Sequence, residues 1–178
     1  MTTITTKPVP KPSFADDETD RKICFICSKG NLDMAYPALI MANGAVGEGI
    51  ETHIFFTFWG LDMINKKTMN DLKFTLLGNT AMHPPRHFGV SMPQGLGGLP
   101  GMTAMATRML KTQIAAQGVP PVPEFLDLLV DSGAKLWACK MSVDMMGLTM
   151  EDLHDGVSAI INVAEFLELS DGAQIVFV

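Results

Sequence analysis

The sequence predicts an α/β domain built on a mostly parallel sheet with helices on both faces. Short apolar runs rich in β-branched and aromatic residues recur at KICFICS (from Lys22), THIFFTF (from Thr52) and AKLWAC (from Ala134). Runs without polar alternation read as strands buried on both faces. The stretches between them have helical length and period, as the crossovers of a parallel sheet require. Glycines at Gly47, Gly49, Gly118 and Gly133 stand where those helices should stop.

Each element follows in order. After the first strand, Lys29-Gly30-Asn31 is a turn, and Ala35, Ala38, Leu39, Ala42 and Val46 recur at helical spacing from Asp33 onward. The second strand should lie parallel to the first through a right-handed crossover. Trp59 to Lys67 reads as a short helix. The stretch from Gly78 to Gly101 is dense in Gly, Pro and Met, and a loop of that length is usually functional. A helix follows from Met102 to Gln117, with Met102, Met105, Met109, Leu110 and Ile114 expected to mark its apolar face. Pro123 opens another helix. Beyond the third strand come helical turns at Ser142–Met146 and Thr149–His154, a strand at Val157–Ile161, a helix at Asn162–Leu169 and a closing strand at Gln174–Val178. Residues 1–21 are polar and read as a flexible arm, leaving 22–178 as one domain.

Composition limits the function. The chain has 178 residues and a net charge of −6, so it lacks the clustered cations that nucleic-acid binding needs. No apolar run reaches the length of a membrane span. Three cysteines make no disulfide scaffold, and with no signal peptide in view they point to free thiols in the cytoplasm. The 14 methionines follow helix spacing and suit packing or subunit contacts better than metal binding, and a homo-oligomer is expected.

Ligands of open α/β sheets bind outside the carboxyl ends of the strands. That rule selects Cys27–Gly30, Phe58–Leu61 and Cys139–Asp144. Cys139 ends a strand and precedes Lys140 and Ser142, the latter a good helix N-cap. A thiol there meets the positive end of a helix dipole and unpaired N–H groups, which favour thiolate. A small buried hydrophobe at a strand end is the equal alternative. Cys24 and Cys27 form a CxxC, but residues an odd number apart along a strand face opposite ways. Cys24 is therefore expected in the core and Cys27 as a secondary thiol at the strand end. His83 and His87 flank Pro84-Pro85-Arg86, as metal ligands, a cationic loop for an anion, or plain surface. No second CxxC or CxxH completes a zinc site, and GxxxxGK[ST] is absent; no metal and no cofactor are expected.

The segment WACKMSVDMMGL around Cys139 resembles the cysteine motif of the larger DsrE-like proteins of the DsrE/DsrF/DsrH family. SKGNLDMAYPALIMANGAVGEGIE, FFTFWGLDMI, LGGLPGMTAMATRMLK and HDGVSAIINVAEFLELS agree in order, so the resemblance spans Lys22 to Val178. It implies a flavodoxin-like domain that assembles into homo-oligomers, often trimers or hexamers. It further implies cytoplasmic sulfur trafficking, with sulfane sulfur from small sulfur anions or persulfides carried on Cys139. Exchange with TusA-like carriers or rhodaneses is expected, with Lys140 and Ser142 stabilising the thiolate. Whether such a protein turns over as a sulfurtransferase or carries sulfur stoichiometrically stays open. So does a non-catalytic scaffold of a sulfur-metabolic complex.

Overall fold

The computed structural model describes residues 21–79 and 93–178. The expected arm, except Arg21, and the loop histidines His83 and His87 lie outside the described residues. In chain order the elements are β1 (Lys22–Cys27), α1 (Leu32–Gly47), β2 (Glu51–Phe56), a 3-10 helix (Phe58–Met63), α2 (Gln94–Gly97) and α3 (Met102–Ala116). Then follow α4 (Val122–Asp131), β3 (Lys135–Cys139), α5 (Lys140–Met146), a 3-10 turn (Met150–Asp152), β4 (Val157–Ile161), α6 (Val163–Leu169) and β5 (Gln174–Phe177).

The strands form one five-stranded sheet in the order β4-β3-β2-β1-β5. Every pairing is parallel, with Cys27 beside Phe56, Phe56 beside Ala138 and Cys139 beside Ile161. This is the expected flavodoxin-like α/β architecture. The apolar runs alternate sides, as strand geometry demands. Phe25, Cys27, Ile54, Phe56, Leu136 and Ala138 face a large core with α1 and α4. Cys24, Phe55, Cys139 and Ile161 face a smaller one, closed by Phe166 of α6. Phe55 and Phe166 stack at 4.4 Å between ring centroids. Fully buried side chains such as Phe25, Phe56, Leu39 and Leu126 each contribute roughly 1.5–3 kcal/mol.

Strand order also explains where the chain opens a crevice. From β1 to β4 each strand is laid beside the last in one direction, so right-handed crossovers stay on the large-core face. β5 then returns to the far side of β1, which sends α6 to the opposite face. Val143 of α5 lies in the large core and Phe166 of α6 in the small one. The connections leaving β3 and β4 therefore diverge, and the switch point falls between their carboxyl ends. Cys139 and Ile161 are the paired residues at that point.

One helix face differs from expectation. Met105 and Met109 of α3 are exposed, whereas Ala106 is buried and Leu110 and Ile114 pack on the large core. Ala106, Leu110 and Ile114 are four residues apart and form their own stripe. The methionines lie just beside it, facing outward.

Candidate functional site: a buried thiol at the sheet's switch point

Cys139 is the last residue of β3 and also the N-cap of α5, with extended backbone (φ −71°, ψ 118°). Helix α5 therefore begins at Lys140, and the cap position is held by the cysteine instead of Ser142. Ser142 lies inside the first turn with its side chain fully buried. Its Oγ accepts the N–H of Phe58 at 2.9 Å and lies 3.2 Å from Oγ1 of Thr57. Thr57 follows β2, and the register Phe56 to Ala138 sets it level with Cys139. The two hydroxyls come from segments 85 residues apart.

This polar cluster governs the thiol. Burial pushes the Cys139 pKa up, but the Ser142 hydroxyl and N–H, the Thr57 hydroxyl and the Met141 N–H outweigh it. The result lies below the ordinary 9.0. The sulfur makes no helix-capping hydrogen bond; the donors act on it as converging dipoles at the start of a helix. Lys140 is placed otherwise than expected. Its side chain is 60% exposed and its ammonium pairs with Asp144 at 3.4 Å, one turn along α5. It is not among the groups that act on the thiol.

Cys27 does not join Cys139. It faces the large core, two strands away and on the other side of the sheet. With burial as its sole cause of shift, its pKa is pushed up to about 12. Cys24 faces the small core, away from Cys27 as the strand period required, and burial raises it to about 11. All three thiols are free.

The described histidines are structural. Nδ1 of His53 accepts the Trp137 indole N–H at 3.0 Å, so the proton on Nε2 is donated to Glu51 at 2.9 Å. His154 accepts the Gly156 N–H on Nδ1 and meets Asp127 through Nε2 at 3.2 Å. Among the described residues no group of three His, Cys, Asp or Glu side chains is placed to hold a metal ion.

Sequence reasoning reached the carboxyl edge and named Phe58–Leu61 but missed Thr57 by one residue. The signal was present: Thr57 is the one hydroxyl that interrupts FFTF at the strand's end. Around the site, Phe58, Trp59, Met141 and Met145 are exposed and apolar. Among the described residues, cavities open elsewhere, between α1, α3 and α4, beside Lys29 and Asp62, and beside Lys73 and Arg108, and none of these is lined by Cys139.

Residues 19–178 match the DsrE/DsrF/DrsH-like family. The chain belongs to that family. It is 36% identical over 155 residues to the sulfur carrier protein DsrE2 of Allochromatium vinosum, covering 87% of this chain and 96% of that one. It is 28% identical over 165 residues to the uncharacterized protein YrkE of Bacillus subtilis, covering 90% and 99%. A solved structure of a protein of unknown function from Methanobacterium thermoautotrophicum superimposes with a TM-score of 0.54 at 8% identity. It covers 89% of this chain and all of that one, a likeness of fold alone. No helix among the described residues is long and apolar enough to cross a membrane.

Proposed function

We propose that the protein is a cytoplasmic sulfur carrier that holds sulfane sulfur as a persulfide on Cys139. The observation that carries this reading is the placement of Cys139 at the switch point of the sheet and the start of α5, beside the buried Ser142 and Thr57 hydroxyls, which favours its thiolate in spite of burial. A thiolate is the nucleophile in sulfur exchange. Its sulfur attacks the sulfane sulfur of thiosulfate or of a donor persulfide. The donor's S–S bond breaks, and sulfite or the donor thiolate leaves with the electron pair. In the second half, an acceptor thiolate attacks the outer sulfur and Cys139 leaves as thiolate. No oxidant or reductant enters either step. The donors that lower the pKa also stabilise Cys139 as the leaving group.

The relative from Allochromatium vinosum, named a sulfur carrier, supports the same assignment. The burial of Cys139, at 2% exposure, suits a small or extended sulfur-bearing group and shields a persulfide from stray thiols. The exposed Phe58, Trp59, Met141 and Met145 suit the approach of a protein partner, a TusA-like carrier or a rhodanese. We extend the reading to a homo-oligomer, on the exposed methionines of α3.

The test is intact-protein mass spectrometry of reduced, desalted protein after thiosulfate, tetrathionate or polysulfide. Wild type should gain a sulfur or thiosulfonate adduct that Cys139→Ser lacks and Cys27→Ala keeps. An adduct that persists in Cys139→Ser would refute Cys139 as the carrier.

A further inference from the structure

Phe58 stands apart in the backbone. Its φ is +46°, and no other non-glycine among the described residues has a positive φ. Bulky L-residues disfavour this region because Cβ crowds the neighbouring carbonyl. The side chain does not demand the conformation, for it is 45% exposed and belongs to neither core cluster. The cause lies in the flanking backbone. Thr57 N–H donates to the Cys27 carbonyl at 3.0 Å, and Gly60 N–H donates to Thr57 at 2.9 Å. A Cβ on Gly60 would lie 2.0 Å from the Cys27 oxygen, and one on Gly30 would lie 2.4 Å from the Trp59 oxygen. The turn after β2 is thus pressed onto the end of β1, with no room to relax.

The strained residue points its N–H at the Ser142 hydroxyl, 2.9 Å away. We propose that the left-handed backbone of Phe58 is a positioning device that keeps the Ser142 hydroxyl dipole aimed at the Cys139 sulfur. The proposal rests on the reading of Cys139 as the reactive thiol. A hydroxyl has one proton to give and two lone pairs to fill. A backbone N–H can only donate, so it takes one of the two lone pairs of Ser142 and, by polarising the hydroxyl, favours the arrangement in which its proton is given to another group. The remaining neighbours are Thr57 Oγ1, at 3.2 Å, and the sulfur. When the sulfur is charged, both hydroxyl protons turn to it. When it is protonated, the hydroxyls can pair with each other across the 3.2 Å that separates them. Without the Phe58 N–H, both lone pairs of Ser142 are open to the S–H, and the balance moves toward the neutral thiol. Backbone strain at such a place is tolerated where the surroundings over-determine it and the function uses it.

The experiment is the pH profile of iodoacetamide alkylation at Cys139, read by peptide mass spectrometry, for Phe58→Gly, Phe58→Asn, Phe58→Val, Phe58→Ile and Ser142→Ala. The midpoints should follow tolerance of the left-handed region. Val and Ile should move upward toward Ser142→Ala and alkylate at least about twofold more slowly at pH 7 than Gly and Asn. Were Val and Ile to fail to fold, Phe58→Ala takes their place and shifts in the same direction relative to Gly. Val, Ile or Ala titrating with Gly and Asn, while Ser142→Ala shifts, would overturn the device alone. So would midpoints that follow loss of the aromatic ring, with Gly and Asn the most raised. A Ser142→Ala midpoint equal to wild type would overturn it together with the hydroxyl cradle, and the adduct test on Cys139→Ser would still judge the carrier reading separately.

Discussion

Cys27 and Cys139 end two strands of one sheet at the same edge, with β2 between them, and each is 2% exposed. Their thiols nevertheless have opposite character. Cys27 looks into the large core among apolar side chains, and burial alone drives it to about 12. Cys139 looks into the small core, where burial is outweighed by two hydroxyls and two N–H groups. Burial by itself does not decide whether a cysteine is inert. What decides it is whether the polar groups that replace water are aimed at the sulfur.

The comparison can be broken first by alkali, where the largest effect is expected. An unfolded Cys27 ionises near 9.0, while the folded one keeps its proton to about 12. Between those values the folded state holds a proton that the unfolded chain has lost, so stability falls as pH rises through this window. The shift amounts to a few kcal/mol at most. Cys139 has the other sign. Its folded pKa is depressed, so its contribution is full above 9.0 and is lost as pH falls through the lower folded value. Urea titrations from pH 8 to 11 should show a steep decline in wild type and a shallower one in Cys27→Ala. Equal slopes would mean that Cys27 is not held neutral.

Gly60→Ala tests the turn after β2, which is pressed onto the end of β1. Its Cβ would lie 2.0 Å from the Cys27 carbonyl oxygen, and that oxygen is backbone with no freedom to swing away. Overpacking of this kind costs roughly 1–3 kcal/mol and sometimes more. The same change disturbs the turn that carries Thr57 and Phe58, so Cys139 alkylation should slow as stability falls. Loss of stability with an unchanged Cys139 midpoint would uncouple the turn from the thiol.

How much of this was legible in the sequence differs between the two cysteines. The strands and crossovers were readable because continuous apolar runs and helical periods leave few alternatives, and the opposed faces of Cys24 and Cys27 follow from strand geometry alone. Cys139 was reachable because the edge rule and the helix that follows place a thiol there. Its surroundings were not. Thr57 and Phe58 lie 85 and 84 residues from Ser142 in sequence, and only the register of β2 on β3 brings them level with Cys139. The cap position was misplaced for a local reason: a serine is the better cap by propensity, but β3 runs straight into α5 and leaves the cysteine at the junction. On α3, Leu110 and Ile114 face the core as expected, but Met105 and Met109 were misplaced because they share the spacing of Ala106 and Leu110, offset by one residue.

Ser142→Ala sharpens the comparison by making Cys139 more like Cys27. The variant removes the side-chain donor to the sulfur and leaves the Phe58 N–H without its acceptor. The lost partner costs about 1–3 kcal/mol, and the alkylation midpoint of Cys139 should rise. Thermal melts and pH-dependent alkylation together check both halves. A stability loss with no change of midpoint would confine Ser142 to a structural role.

Lys140→Ala should have the smallest effect, and it separates a fixed polar environment from mere nearness of charge. The lysine is adjacent to Cys139 in sequence, yet its ammonium is exposed and paired with Asp144. Exposed pairs one helix turn apart contribute about 0.3–0.5 kcal/mol and are screened by salt. Removing the charge should therefore leave stability within about half a kcal/mol of wild type and barely move the Cys139 midpoint. The comparison to make is with Ser142→Ala at low and high salt. If Lys140→Ala raises the midpoint as far as Ser142→Ala does, and salt abolishes the difference, then long-range charge sets the acidity of the thiol. If only Ser142→Ala moves it, and salt does nothing, the buried donors do, which is the outcome expected from their placement within the fold.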